Sequence, residues 1–365
     1  MIVKTLRVRN FRNYESAELR LNPELNLISG PNAQGKTNLL ESLVYLSMTR
    51  SFRTMNDSLL IRNGCDFAGL SCTVSDERRD TRLDAVIHSS GKTLSVNRVP
   101  VKKTSEFVGR LNTVLFSPDD LSIFLDAPRD RRRMLDQEIT KVSSACLSAL
   151  KNYRNLLRDR NSLLKEFHPD ERYLEVLEER MAAEAVTVIK ERRAFIASVN
   201  RTLTGFYQSL ADDPLEAKLN YHSCVSEEVR EEELMETLKR MYAESRAKDL
   251  EFKSTGSGIH REDISFSLNG ENVINSASQG QKRMILLAFR LSIMNYIEET
   301  AHTRAVLLLD DVLSELDRER QKTLMGLISK PYQCVITGTE FPDFLRQGNL
   351  TEFRIRNGTI QGGSV

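Results

Sequence analysis

A glycine-rich segment near the start of the chain has the residue types and spacing that bind a nucleoside triphosphate. It follows the pattern G-x-x-x-x-G-K-T, formed by Gly30, Pro31, Asn32, Ala33, Gln34, Gly35, Lys36 and Thr37. A mostly apolar run, Leu25-Asn26-Leu27-Ile28, precedes it, and a helical pattern follows over residues 38–46. This strand, loop and helix context favours a P-loop over the alternative, a chance glycine-rich turn.

Each part of the P-loop has an expected role. The glycines let the backbone turn so that successive N–H groups form an anion-binding nest, and the helix N-terminus adds its positive dipole end. Lys36 is expected to place its ammonium on the β- and γ-phosphates, and the Thr37 hydroxyl to bind Mg²⁺. Asn38, which follows directly, is assigned to the same site. The predicted cofactors are therefore ATP and Mg²⁺.

A pair of aspartates ends a second apolar run. Residues 305–309 are all apolar, as a central parallel strand should be, and Asp310 and Asp311 follow. Asp310 is expected to bind Mg²⁺ directly or through water, and Asp311 to orient or deprotonate the attacking water. The alternative is a helix N-cap after a strand, but the P-loop in the same chain favours the metal. Lys36, Asp310 and Asp311 are the candidate catalytic residues.

A third polar segment opens a helix shortly before that strand. It consists of Ser278, Gln279, Gly280 and Gln281, with Ser278 as the expected N-cap. A serine and a glycine at this place match the layout of the ABC signature, whose loop binds the γ-phosphate held by a second subunit. The pattern therefore predicts a two-fold homodimer that depends on ATP.

A basic and aromatic turn, residues 9–14, lies between two alternating stretches near the start of the chain. One interpretation is a solvated hairpin end. The other is a nucleotide contact near the P-loop, made by Arg12 and Asn13. The turn alone does not decide between them.

The composition limits the class of protein. The chain has 365 residues, a net charge of +1, and 40% hydrophobic and 28% charged residues, so it is expected to be a globular protein with an ample core. Five scattered cysteines without C-x-x-C spacing indicate reduced thiols in a cytosol and disfavour a zinc site. No N-terminal segment resembles a signal peptide, and the apolar runs are too short to span a bilayer. We expect a cytoplasmic protein without a membrane partner.

The elements that must position these residues fall into two domains. We predict an α/β fold in which an ABC-type ATPase head, with a mixed P-loop sheet and an antiparallel β subdomain, comprises residues 1–125 and 252–365. A helical arm, residues 126–251, splits it. Apolar residues at 3- and 4-residue steps predict one long helix from about Arg129 and a second that reaches Phe206, with a break at His168-Pro169-Asp170. The alternatives are an ordinary helical subdomain and a projecting hairpin, and the narrow apolar stripes favour the hairpin.

Two polar segments remain open in function. Residues 129–133 contain four arginines, which either form a solvated helix face or bind phosphate backbone. The loop at residues 256–263 includes His260 and Arg261. It is either a polar loop that ties head to arm or a contact to phosphate or DNA.

Taken together, these motifs resemble the RecF family of bacterial recombination mediators, within the SMC class of ABC ATPases. The resemblance rests on residues 9–14, 30–37, 116–121, 258–263, 278–283 and 308–317, and it runs from end to end. It implies a weak ATPase that binds gapped DNA and junctions of single- and double-stranded DNA. It further implies that RecR, and RecO as a further partner, help it load recombinase during repair, fork restart and SOS induction.

The chain departs from many ABC proteins at three places. Ser117-Pro118-Asp119 stands where a glutamine is usual, Thr337-Gly338-Thr339 where a histidine is usual, and Asp311 where a glutamate is usual. These differences suggest slow turnover. Two alternative functions are an SMC-like protein that bridges DNA through its arms and the nucleotide-binding subunit of a transporter. The missing glutamine and the helical hairpin argue against the transporter.

Overall fold

The computed structural model describes residues 1–76, 79–328 and 332–364, which form two compact units. Over these residues, the first unit spans Met1–Leu121, Gly205–Asp213 and Arg283–Val365, and the second spans Ser122–Thr204 and Pro214–Lys282. The second unit begins close to the predicted boundary at residue 126. It also contains residues 252–282, which the sequence assigned to the head.

The strands are named in chain order. They are β1 (Ile2–Phe11), β2 (Tyr14–Arg20), β3 (Leu25–Ser29), β4 (Phe67–Ser75), β5 (Asp80–His88), β6 (Gly91–Val96), β7 (Val99–Pro100), β8 (Thr113–Phe116), β9 (Ala217–His222), β10 (Asp263–Leu268), β11 (Glu271–Asn272), β12 (Val306–Leu309), β13 (Cys334–Gly338), β14 (Leu350–Arg356) and β15 (Thr359–Ser364). The helices are α1 (Lys36–Met48), α2 (Pro128–Thr140), α3 (Ser144–Leu163), α4 (Glu171–Ala211), α5 (Leu234–Phe252), α6 (Val273–Ser276), α7 (Gln279–Ala301) and α8 (Arg318–Ile328).

An antiparallel sheet in the first unit has the order β2-β1-β4-β5-β6-β7. Burial alternates along β4 and β5, so that one face of the sheet is apolar. Leu70 and Leu83 on that face belong to the same core cluster as Leu39 and Leu43 of α1. The predicted antiparallel subdomain is thereby confirmed, and its core reaches the helix that follows the P-loop.

A mixed sheet in the same unit has the order β15-β14-β3-β13-β12-β8. All neighbouring pairs are parallel except the edge pair of β14 and β15. Every residue of β12 is buried, which explains why its sequence is a continuous apolar run. The P-loop follows β3 and Asp310 follows β12. Parallel strands end at one edge of the sheet, so the chain brings these two motifs together there.

The second unit contains an antiparallel helix pair and a small sheet of order β11-β10-β9. Helix α3 and its N-cap contact α4 at three places: Ser143 to Glu191, Asn152 to Glu184, and Arg160 to Glu178. The residue numbers rise in α3 as they fall in α4, so the two helices are antiparallel. The second helix, α4, has 41 residues and is about 60 Å long. The predicted helical hairpin is therefore present.

The first predicted helix is wrong in one respect, because it is interrupted. Helix α2 ends at Thr140 and α3 begins at Ser144. Ser143 caps the second segment by accepting a hydrogen bond from the Cys146 amide over 3.1 Å. The segment contains no glycine or proline to signal the break.

Candidate nucleotide-binding site

The P-loop backbone has the conformation that its glycines allow. Gly30 has φ +151°, and a Cβ there would collide with the carbonyl oxygen of Ile355. Gly35 has φ +110°, and a Cβ would lie 2.6 Å from the Asn13 side chain. Side chains other than hydrogen would therefore open the loop at both positions. Ala33 also has a positive φ, 62°, which helps to turn successive amides inward.

The Lys36 side chain lies inside the P-loop, where it is expected to bind phosphate. The residue is 4% exposed, and its Nζ donates to the carbonyl oxygens of Gly30, at 2.9 Å, and Pro31, at 3.2 Å. The side-chain oxygen of Asn32 is 3.4 Å away. The ammonium thus lies where a phosphate held by the loop amides can take over as its partner.

Thr37 and Asp310 meet across the edge of the sheet. The Thr37 hydroxyl donates to Asp310 Oδ1 over 3.0 Å, and the Thr337 hydroxyl donates to the same oxygen over 2.7 Å. The pKa of the Asp310 carboxyl is raised above its ordinary value, mainly by burial and also by the charge of Asp311. The two hydroxyl groups and Lys36 act in the opposite direction. Hydroxyl and carboxylate oxygens are ligands that suit Mg²⁺, so these residues fit the predicted metal.

Asp311 has an unusual backbone conformation, with φ +51°. Its amide donates to the Thr337 hydroxyl over 2.9 Å, which holds this conformation. A short 3₁₀ turn, Val312–Glu315, follows, but in the described chain the Asp311 side chain makes no capping bond to it. This geometry argues against the N-cap alternative and leaves the carboxylate available for a ligand or water.

The basic turn at residues 9–14 lies against the P-loop. The side-chain nitrogen of Asn13 donates to the Gln34 carbonyl oxygen over 2.8 Å. The side-chain oxygen of Asn13 accepts from the Asn38 side chain over 2.8 Å. The Tyr14 hydroxyl donates to the Gly35 carbonyl oxygen over 3.0 Å. Arg12 instead forms an ion pair with Glu41 in α1. Asn13 thus lies against the P-loop, and Arg12 is paired with a carboxylate of the helix that follows it.

Sequence reasoning missed several residues that support this site. Glu41 is fully buried and also accepts a hydrogen bond from Ser51, at 2.5 Å. Arg53 donates to the Asn38 side chain over 2.9 Å. The available signal for Glu41 was a carboxylate placed among leucines, next to Leu39, Leu40 and Leu43. The support from Ser51, Arg53 and Thr337 depends on tertiary packing.

The structure places the predicted signature at the N-terminus of α7. The Ser278 hydroxyl accepts from the Gln281 amide over 3.2 Å, and the Gln281 side chain accepts from the Ser278 amide over 2.9 Å. This reciprocal pair is a capping box. Gln279 and Gly280 form the exposed first turn. These four residues belong to the second unit, whereas the P-loop, Asp310 and Asp311 belong to the first.

The arginine run at residues 129–133 is partly structural. Arg131 forms a two-point ion pair with Asp263, and Arg132 donates to the Glu262 carbonyl oxygen. Arg129 is exposed. Arg133 pairs with Asp130 at 2.8 Å, so three of the four arginines are engaged within the second unit, which limits the phosphate-binding interpretation.

His260 is an internal residue of the second unit. Its Nδ1 forms a hydrogen bond with the Tyr153 hydroxyl at 2.9 Å, and its Nε2 lies 3.1 Å from the Thr255 carbonyl oxygen. Burial lowers its pKa to about 4. The ring is therefore neutral at pH 7 and holds the loop in place. Arg261, in contrast, is exposed.

Within the described ranges, no group of three or more His, Cys, Asp or Glu side chains is placed to hold a metal ion. None of the helices described is long and apolar enough to cross a membrane.

The chain resembles known proteins over almost its whole length. The family model of the RecF/RecN/SMC N-terminal domain matches residues 2–344. The DNA replication and repair protein RecF of Lachnoclostridium phytofermentans is 34% identical over 369 positions, covering 100% of both chains. RecF of Bacillus subtilis is 35% identical, covering 99% of this chain and 100% of its own.

Two solved structures resemble the chain, and they differ in TM-score and in sequence identity. The recombination mediator protein RecF with ATP in the RecFOR pathway has a TM-score of 0.91 and 34% identity, covering 100% of this chain and 97% of the other. An Smc head domain from Pyrococcus furiosus has a TM-score of 0.56 and 16% identity, covering 98% and 95%. The second likeness concerns the fold alone.

Proposed function

The chain belongs to the RecF family, and from this premise we propose that it is a recombination mediator that binds ATP in order to close on DNA. The observation that carries the proposal is the meeting of Lys36, Thr37 and Asp310 at the carboxyl edge of one sheet. The RecF relative with ATP in the RecFOR pathway, which is 34% identical over the whole of this chain, supports it.

Binding begins with the loop amides and Lys36. The amides at the start of α1 donate to the phosphate oxygens, and the Lys36 ammonium exchanges the carbonyl oxygens of Gly30 and Pro31 for those of the phosphates. Thr37 and Asp310 hold Mg²⁺, which neutralises phosphate charge when bound. Asn13 and Asn38, paired at 2.8 Å, border the start of the same helix and contact the nucleotide.

Hydrolysis depends on Asp311. Its carboxylate orients or deprotonates the water that attacks the γ-phosphate. The Asp311 amide donates to the Thr337 hydroxyl over 2.9 Å, which fixes the Asp311 backbone. The Asp311 side chain is one methylene shorter than the glutamate usual in ABC proteins. A shorter carboxylate held at a fixed backbone reaches less far toward the water, so we expect turnover to be slow.

ATP joins two copies of the chain. The exposed Ser278 and the first turn of α7 receive the γ-phosphate held by the P-loop of the other copy, and the result is a two-fold dimer. The dimer closes on gapped DNA or on a junction of single and double strands. With RecR, and with RecO as a further partner, it helps load recombinase in repair, fork restart and SOS induction. Since DNA is the partner, we expect it to act in the cytoplasm on the nucleoid.

One experiment tests the whole proposal. Dimer fraction by light scattering and phosphate release are measured with ATP and Mg²⁺, with and without gapped DNA. We expect a dimer only with ATP and Mg²⁺, and slow phosphate release. The Asp310→Asn variant should remain monomeric, whereas the exposed control Asp343→Asn should behave as wild type. A wild-type chain that stays monomeric and ignores DNA under these conditions would refute the proposal.

A further inference from the structure

Three residues lie side by side at the carboxyl edge of the mixed sheet, and the register of the strands before them identifies which residues they are. Leu115, Leu308 and Val335 are register partners on β8, β12 and β13, and all three belong to the core cluster that packs on α1. Side chains alternate along a strand, so the residues two positions further on face the same side. Those residues are Ser117 and Asp310, each directly after the end of its strand, and Thr337 within β13.

The pairing places Ser117 beside Asp310. Leu309 pairs with Phe116, and the Asp310 amide donates to the Phe116 carbonyl oxygen over 2.9 Å. Adjacent strands lie about 4.8 Å apart, so Ser117 and Asp310 follow directly on neighbouring strands and their backbones are adjacent. Thr337 flanks Asp310 from the other side and already donates to its Oδ1.

The Ser117 hydroxyl differs from the other hydroxyls around Asp310. Thr37 and Thr337 both donate to Asp310 Oδ1. Ser117 is only 2% exposed, and its hydroxyl oxygen is buried without a hydrogen-bond partner among the described residues. Buried hydroxyl groups are nearly always paired, because an unpaired one loses its hydrogen bonds to water. An exception beside a metal-binding carboxylate points to a ligand.

The loop that carries Ser117 is held in place. The Ser117 amide donates to Asp120 Oδ2 over 3.2 Å, and the Arg290 guanidinium pairs with the same carboxylate at 3.0 Å. Arg290 comes from α7, within the first unit. The hydroxyl is therefore presented at a fixed position in the row rather than on a mobile loop.

We propose that the Ser117 hydroxyl is a third protein ligand, beside Thr37 and Asp310, of the divalent cation bound with the nucleotide. This inference rests on the proposed function, since it concerns the cation that accompanies ATP. Hydroxyl oxygens suit Mg²⁺, which binds few protein groups and completes its shell with phosphate and water. The sequence offers serine here in place of a longer amide side chain.

The test separates metal binding from turnover. Binding of a fluorescent ATP analogue is titrated with Mg²⁺ for the wild type, Ser117→Ala, Thr37→Ala and the control Ser292→Ala. Ser292 is a buried serine of the same unit whose hydroxyl is paired with the Ala288 carbonyl oxygen at 2.9 Å. We expect Ser117→Ala to need roughly tenfold more Mg²⁺ for half-saturation, and Ser292→Ala to match the wild type.

Thermal unfolding without nucleotide provides the second readout. Removing an unpaired buried hydroxyl should leave the midpoint of Ser117→Ala unchanged or raised, whereas Ser292→Ala should lower it by loss of a hydrogen bond. A lowered midpoint for Ser117→Ala would indicate a structural hydroxyl and overturn the inference.

A thiol at the same position tests direct contact. Ser117→Cys should lose affinity for ATP with Mg²⁺ and regain it with Cd²⁺, because a thiolate prefers the softer ion. Failure of Cd²⁺ to restore binding would overturn a direct ligand. If Thr37→Ala loses its Mg²⁺ response and Ser117→Ala keeps it, this inference alone fails. If both keep it, the proposed ATP site fails as well.

Discussion

The guanidinium of Arg12 and the carboxylate of Glu41 form a two-point ion pair beside the P-loop helix. Nε donates to Oε2 over 2.8 Å and Nη2 to Oε1 over 2.7 Å, and Glu41 is fully buried. The remaining nitrogen, Nη1, donates to the Leu59 carbonyl oxygen over 3.0 Å. All three nitrogens donate within the protein, so Arg12 is expected to hold the turn that carries Asn13.

The Arg12→Ala variant should therefore lose stability. It would leave a buried carboxylate with Ser51 as its close donor and Arg53 at 3.7 Å. Breaking such a pair from one side costs about 3 kcal/mol in the free energy of unfolding, which urea denaturation measures. Arg7→Ala, which removes an exposed partner of Glu18, should change little. Unchanged stability together with lost ATP affinity would instead make Arg12 a nucleotide contact.

Lys36→Arg should separate binding from hydrolysis. The ammonium is a compact charge that fits between the carbonyl oxygens of Gly30 and Pro31, whereas a guanidinium is larger and planar. We expect ATP affinity to fall by less than roughly tenfold and phosphate release to stop. A fluorescent ATP analogue measures the first and a phosphate assay the second. Turnover equal to that of the exposed control Lys102→Arg would contradict the P-loop assignment.

The core strands were predictable because burial on both faces leaves a plain signature. Residues 305–309 are continuously apolar, and β12 is indeed buried throughout. The same logic located the strand before the P-loop. The domain boundary after residue 251 was harder. Strand β10 pairs with β9, from Ala217 to His222, and this long-range pairing brings residues 252–282 into the second unit.

The site was predictable where a single side chain has a fixed role. Lys36 and Thr37 were predicted from motif spacing and Asp310 from its place after an apolar strand, and the structure brings Thr37 within hydrogen-bond distance of Asp310. Glu41 was not identified, and Ser117 was noted only as a departure from ABC proteins, because their surroundings depend on burial and on register between strands distant in sequence. The break before Ser143 was missed for a related reason, since any of several serines in that region could have been a cap.

Ser278 variants test the role of the signature in joining two copies. Ser278→Arg removes the N-cap and adds a bulky group, while Ser278→Asp keeps an oxygen that can accept from the Gln281 amide. Both should bind ATP as the wild type does, and both should stay monomeric with ATP and Mg²⁺, the aspartate because it repels the γ-phosphate. Light scattering measures the outcome. Dimers of both variants would show that the other subunit's phosphate does not meet this residue.

His260 should make the stability of the second unit depend on pH. Burial is the main cause that lowers its pKa to about 4 from the ordinary 6.5, and the charges of Arg261 and Arg132 act in the same direction. Between these values the unfolded chain binds a proton that the folded chain does not. The stability contribution is therefore complete above pH 6.5 and falls as the pH decreases to 4, by about 3 kcal/mol.

Urea denaturation at a series of pH values tests this for the wild type and His260→Gln. Other carboxylates and histidines also titrate in this range, so the informative quantity is the difference between the two curves. The glutamine can still reach Tyr153 and the Thr255 carbonyl oxygen but does not titrate, so its stability should fall less between pH 6.5 and 4. His222→Gln, at an exposed position, is the matched control. Parallel curves for the wild type and His260→Gln would mean that the ring is protonated in the folded chain and is free to meet phosphate.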